Sequence, residues 1–274
     1  MVTMVQKKQK ITGCYFIKLL FVTSVVVMLA ITSVNAAPLK INFEGAFSVW
    51  NHDPKGIIQY EGDEISINDD LSLGNRNDYS LWFKFDHPAP IIPCLKVEYT
   101  PIQIEDESSS LQSVKFANED IQNVYSSKLE FDTFDINLYF HLPIIKLISL
   151  KALDITYGLN LRFLNGQALI SGLNTSNVLT EAVHSFSSPM PMIQFGVSLT
   201  PIDAISLITD FRATNYSGHH WYDVVTKLHL SAPGIKYVFL GVGYRYQDIK
   251  LDGFKDITAD QTMQGWFGEV GFRF

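Results

Sequence analysis

Phe134-Asp135-Ile136-Asn137-Leu138-Tyr139-Phe140-His141-Leu142 decides the fold. Phe134, Ile136, Leu138, Phe140 and Leu142 share one parity, and Asp135, Asn137, Tyr139 and His141 take the other. A period of two marks a strand with one apolar and one polar face. The next segment repeats it, with Ile155, Tyr157, Leu159, Leu161 and Phe163 against Asp154, Thr156, Asn160 and Arg162.

Working outward, the same alternation recurs toward both ends. Phe43, Phe47 and Val49 oppose Asn42, Glu44, Ser48 and Trp50; Tyr79, Leu81, Phe83 and Phe85 oppose Ser80, Trp82, Lys84 and Asp86; Leu95, Val97 and Tyr99 oppose Lys96, Glu98 and Thr100. On the other side, Ile193, Phe195, Val197 and Leu199 precede Ile205, Leu207 and Phe211, then Tyr222, Val224, Leu228 and Leu230. Val238, Leu240, Val242, Tyr244 and Tyr246 follow, and Trp266, Val270, Phe272 and Phe274 close the chain. Ten strands result, an even number, as an all-β closed antiparallel up-and-down transmembrane barrel requires.

The connections alternate as well. The odd ones cover 51–77, 106–127, 164–188, 215–220 and 248–261, and the even ones 87–93, 143–149, 201–204 and 231–235. Long loops on one side and short turns on the other are the layout of a barrel with both chain ends in the periplasm. About 10 residues, each rising roughly 3.3 Å and tilted about 40°, cover the ~25 Å apolar belt.

The first 18 residues carry Lys7, Lys8, Lys10 and Lys18 without an acid, and an apolar run from Leu19 to Ile31 leads to Val34-Asn35-Ala36. This is the three-part pattern of a signal peptide, shorter than the roughly 20 apolar residues of a spanning helix. Cleavage is expected after Ala36 in a bacterial chain exported through the Sec pathway, leaving 37–274 as one outer-membrane barrel domain. Ile11-Thr12-Gly13-Cys14 resembles a lipidation box but precedes the apolar run, so lipidation is not expected. Removing four of the 21 basic residues and none of the 28 acidic ones leaves a mature charge of 17 minus 28, or −11. Such a surface does not seek nucleic acid. Cys94 alone of the two cysteines survives cleavage, so no intrachain disulfide supports the fold.

The polar parity mixes signs, with Lys84, Lys96, Arg162, Arg212, Lys227, Arg245 and Arg273 against Glu44, Asp86, Glu98, Asp135, Asp154, Asp210, Asp223 and Glu269. Opposed charges around a narrow lumen satisfy one another, so a plugged interior is expected. Trp50, Tyr79, Tyr99, Tyr216, Trp221, Tyr222, Tyr246 and Trp266 lie near strand ends and suit interfacial girdles, although some have lumen parity.

The terminal strand ends on an aromatic residue, as outer-membrane proteins commonly do. By that resemblance Phe274, with Phe272 and Val270 on its face, is the signal read by the barrel-assembly machinery. The mature chain also resembles a proteobacterial family of small outer-membrane β-barrels labelled OMP_w_GlyGly. The resemblance rests on Gly45-Ala46-Phe47-Ser48-Val49-Trp50-Asn51, Phe85-Asp86-His87-Pro88-Ala89-Pro90, Leu95-Lys96-Val97-Glu98-Tyr99-Thr100 and Gly241-Val242-Gly243-Tyr244-Arg245-Tyr246. It implies fold and location and supplies no activity. Outer-membrane lipid, lipopolysaccharide and, during biogenesis, the assembly machinery and periplasmic chaperones are the partners to expect.

Groups for chemistry are few. An omptin-like protease is similar in size class, and His219, His220 and Asp223 with Asp210 are the candidates for an acid/base group at the rim. His184 with Ser185, Ser187 and Ser188 is a second such set. Asp63, Glu64, Asp69 and Asp70 offer oxygen ligands for a divalent ion but lack the order of an EF-hand loop. No spacing is a specific catalytic motif, and no cofactor is expected. A structural or surface-interaction barrel, an outer-membrane enzyme and a small pore are the three classes left, and the missing motif favours the first.

Overall fold

The computed structural model describes residues 41–70, 74–89, 91–106, 113–149, 152–231, 237–254 and 256–274. The signal segment 1–36 therefore lies outside the described residues. In chain order the elements are β1 (Asn42–Tyr60), β2 (Ile65–Ser66), β3 (Arg76–Asp86), β4 (Cys94–Asp106), β5 (Val114–Phe116), β6 (Glu119–His141), α1 (Pro143–Ile148), β7 (Leu153–Asn174), β8 (Leu179–Ile202), β9 (Ile205–Tyr216), β10 (His219–Ser231), β11 (Val238–Phe254) and β12 (Ile257–Arg273). Ten long strands pair antiparallel with their neighbours, and β1 pairs with β12 to close the barrel. The two short strands are additions, β2 on β1 and β5 on β6. Phe274 completes the seam: its amide donates to the Phe43 carbonyl at 2.8 Å and its carbonyl accepts from the Phe43 amide at 3.0 Å.

Near the chain ends the parity follows the sequence reading. On β6 Leu138 is 45% exposed while Asn137 is 1% exposed. Phe47, Val49, Leu159, Ile193, Leu240 and Val242 are likewise exposed, while Ser48, Asn160, Gln194 and Arg245 are buried. The outer surface here is an apolar belt around a polar interior.

The expected long loops are mostly strand. β1 runs on to Tyr60, β7 to Asn174 and β11 to Phe254, while β8 begins at Leu179, so only residues 175–178 connect β7 to β8. The parity continues, with bulges in β6 between Gln122 and Ser126, but the polarity changes sides. Beyond the belt, inward positions become apolar, with Ile102 and Ile104 on β4, Leu129 and Phe131 on β6, Leu164 and Ile170 on β7, and Ile249 and Leu251 on β11. Outward positions become charged, as with Asp53 and Lys55 on β1 or Lys128 and Glu130 on β6, paired at 2.9 and 2.8 Å. The belt half is ordered for hydrocarbon outside, and the distal half, like a water-soluble barrel, for water outside.

Prolines mark where the distal half opens. Pairing of β1 with β3 ends at His52, and Pro54 follows two residues on; pairing of β3 with β4 reaches Tyr99 and Pro101 follows. Pairing of β8 with β9 begins at Ile193, and Pro191 stands two residues earlier. Proline has no N–H to donate and is tolerated where a strand has lost its neighbour on one side. The sheet thereby divides distally into β11, β12, β1 and β2 on one side and β4 to β8 on the other. Both contribute to one apolar cluster, Ile58, Ile65, Ile67 and Ile257 from the first and Ile104, Phe116, Ile121 and Ala182 from the second. Backbone hydrogen bonds join them, Ala117 N to Tyr60 O at 3.0 Å and Asp63 N to Lys115 O at 2.9 Å. The distal mouth is closed by this packed core.

Trp50 and Trp221 do not belong to a girdle. Both point inward, where Arg245 lies 5.2 Å from the Trp50 ring centre and Arg162 lies 4.6 Å from that of Trp221. Inward parity and guanidinium partners hold them at the boundary between the polar interior and the apolar core. Tyr79, Tyr216 and Trp266 are exposed.

Candidate functional site

Below the apolar core, inward side chains of strands remote in sequence meet in one charge network. Asp223, fully buried, accepts from Arg162 Nη2 at 2.7 Å, Arg212 Nη2 at 2.8 Å, Arg245 Nη2 at 2.8 Å and Gln247 Nε2 at 3.2 Å. Asp135 accepts from Arg162 Nε at 2.8 Å, and Glu98 accepts from Arg212 Nη1 at 3.2 Å and lies 3.2 Å from Lys96. Lys96 also reaches Asp210 at 3.4 Å. Four cations and four carboxylates thus neutralise one another across the lumen. Charges taken out of water need such pairing, since an isolated one costs far more than folding can supply.

A second hub lies toward the chain termini. Glu269 accepts from Ser48 Oγ at 3.1 Å and Trp82 Nε1 at 3.0 Å, pairs with Lys227 at 3.1 Å and touches His229 Nε2. Beneath it a cavity of about 310 Å³ is lined by Glu44, Lys84, Asp86, Asp154, Asp210 and Arg273 among others. Its walls pair too: Arg273 donates to Glu44 at 2.7 Å and Lys84 lies 3.0 Å from Asp86.

The four acid/base candidates are not gathered at the rim. Asp223 is locked among the arginines and Asp210 against Lys96. His219 Nδ1 accepts from the Asp252 amide at 3.0 Å in the distal turn. His220, on the outward parity, stacks on Tyr222 with ring centres 4.9 Å apart and lies 3.5 Å from Asp248. Strand alternation separates His220 from Asp223, because an odd spacing puts them on opposite faces. His184 stacks on Tyr60 at 3.5 Å, and burial there lowers its pKa below the ordinary imidazole value. Ser185 and Ser187 stand on the outward parity of the same strand, away from that ring.

The proposed oxygen ligands hold backbone and turns instead of converging: Asp69 and Asp70 bond within their own turn and Asp63 bonds across to β5. Asp70 Oδ2 accepts from the Ser66 amide at 2.6 Å, Asp69 Oδ2 from Ser66 Oγ at 3.4 Å, and Asp63 Oδ2 from the Lys115 amide at 3.2 Å, while Glu64 is exposed. Among the described residues, metal-type donors converge at the other end of the barrel, where ligand atoms of Asp86, Cys94 and His141 lie within 4.8 Å of one another. Sequence reading had the two polar residues on the inward parity but did not join them to Cys94. The joining signal is the register, which sets Cys94 opposite Tyr139, two residues from His141.

Val270 and Phe274 are exposed on the outward face of the closing strand, with Phe272 between them on the same parity and half-buried.

No family model matches the chain, and no curated protein matches it in sequence. Among solved structures the fold is similar to the outer membrane protease OmpT of Escherichia coli, with 9% identity, 89% of this chain and 99% of that one covered, and a TM-score of 0.51. The attachment invasion locus protein Ail of Yersinia pestis aligns with 10% identity over 85% of this chain and 99% of that one, at a TM-score of 0.37. The toluene transporter TodX of Pseudomonas putida aligns with 10% identity over 86% and 90%, at 0.32. At 9% identity the likeness to OmpT is one of fold.

Proposed function

We propose that this chain is an integral protein of the bacterial outer membrane whose barrel does not conduct and whose distal half stands outside the bilayer as a surface for contact. The belt supports the location: it is apolar outside and polar inside, the order that lipid requires, and the strands leave no open edge within it. The shared architecture with the OmpT barrel agrees with it. Export by the Sec route with cleavage after Ala36, reading of Val270, Phe272 and Phe274 by the assembly machinery, and kinship with the OMP_w_GlyGly barrels are parts of the same proposal. Their support is the sequence segments quoted for them.

One observation carries the closed lumen. Asp223, with its three arginines, sits directly under the apolar core that fills the distal mouth, so a solute path meets two successive barriers. Opening the first would strip buried charges of their partners and opening the second would expose the core to water. An omptin-like reading lacks support at the rim, because the histidine and aspartate candidates are apart. Planar bilayers doped with the refolded protein are expected to show no steady conductance. A reproducible ohmic step would overturn the closed-barrel reading.

A further inference from the structure

We propose that Asp86, Cys94 and His141 form a zinc-type metal site on the inner wall of the barrel near the chain termini, with Asp154 orienting the histidine. Three adjacent strand ends supply the donors: Asp86 ends β3, Cys94 begins β4 and His141 ends β6. A thiol, an imidazole and a carboxylate are the donor set that a borderline-soft ion such as Zn²⁺ takes. Tetrahedral ligands at about 2.0 to 2.3 Å stand roughly 3.3 to 3.8 Å apart. His141 Nε2 already lies 3.3 Å from Asp86 Oδ1, and Cys94 Sγ needs to close by about 1 Å from within 4.8 Å.

The histidine's partners point the same way. His141 Nδ1 lies 2.8 and 3.0 Å from the two Asp154 oxygens, so its proton belongs there and the lone pair is on Nε2. That lone pair then faces the Asp86 oxygen, which also accepts from the Tyr139 hydroxyl, and a cation placed there would be shared by the imidazole and the carboxylate. Either an extra proton on the ring or a metal ion can take that place. The buried Cys94 thiol beside them, 3.8 Å from the His87 carbonyl, supplies the soft donor that favours the metal. A carboxylate behind a ligating histidine is the usual outer support of such sites.

The cavity wall carries the carboxylates of Glu44, Asp86, Asp154 and Asp210 together with the cations Lys84, Lys96, Lys227 and Arg273. Binding adds two positive charges and releases the Cys94 proton to solvent as the sulfur becomes a thiolate, a net gain of one. Lys84 contacts the other oxygen of Asp86, Oδ2, and keeps Glu44 opposite on β1. The fourth position is left to water from the cavity.

The refolded full chain in detergent, reduced with a non-chelating phosphine, is titrated with Co²⁺ and then Zn²⁺. One Co²⁺ per chain is expected, with a thiolate-to-cobalt charge-transfer absorption that Zn²⁺ displaces and that Cys94→Ser removes. Zinc is expected to slow alkylation of Cys94 by about tenfold or more. Asp154→Ala is expected to keep the absorption and weaken affinity by about 10- to 100-fold. Retained heat-shifted gel mobility certifies the fold of each variant. Absence of the absorption in the parent chain, or alkylation indifferent to zinc, would overturn the site and leave His141 as a protonated bridge between two carboxylates. Neither result touches the closed-lumen reading, which bilayer recording tests separately.

Discussion

Asp223→Ala is expected to lower the stability of the folded barrel by about 3–5 kcal/mol, the cost of leaving buried charges without their partner. The carboxylate receives Arg162, Arg212 and Arg245 together, all three guanidiniums at or near full burial. Removing it leaves Asp135 and Glu98 to neutralise three arginines, with Glu98 at 3.3 Å as the remaining ion pair of Arg245. Asp223→Asn, which keeps an acceptor but not the charge, is expected to lose less. Urea titration of protein refolded into lipid vesicles measures the difference, and an Asp223→Ala variant as stable as the parent would show that the network does not hold the barrel together.

Leu138→Arg and Val242→Arg are each expected to cost about 2 to 4 kcal/mol in the same assay, the penalty for a cation against hydrocarbon at the bilayer midplane. Both side chains are exposed in the middle of the belt. Asn137, one residue away, points inward, so Asn137→Ser meets polar neighbours and is expected to be milder. Reversed results would mean the barrel is inside out, because alternation across a sheet is strict.

The ten strands and their inward and outward faces were legible because lipid imposes one polarity on the belt. The distal half was not, since the alternation there continues with polarity reversed. Ile102 and Ile104 keep the inward parity of Glu98 and Thr100, and Lys128 and Glu130 keep the outward parity of Phe134. A reading that equates apolar with lipid-facing therefore stops each strand at the belt's edge. The prolines at 54, 101 and 191 carried a usable signal, marking strands that had lost one neighbour. Position near strand ends suggests a girdle for Trp50 and Trp221, while their lumen parity points to the buried arginines they cover.

The charge network was legible as a set and not as pairs. Arg162 and Asp223 stand 61 residues apart and Arg212 and Glu98 stand 114 apart, so the strand stagger around the closed barrel decides who meets whom. His219, His220 and Asp223 were grouped by nearness in sequence, and alternation sent them to different surroundings. Cys94 drew notice as a lone cysteine, while the register brought it to Asp86 and His141.

Polarity reverses along the strands that extend past the belt, and fluorescence quenching along one face of β6 tests this most directly. Single cysteines at Leu138, Phe134, Asp132 and Lys128, in a Cys94→Ser background and labelled with one fluorophore, all lie on the outward parity. In vesicles the first two are expected to be quenched by lipid-borne quencher and shielded from aqueous iodide, and the last two to behave oppositely. Lipid quenching at Lys128 and Asp132, or iodide quenching at Leu138, would contradict the account.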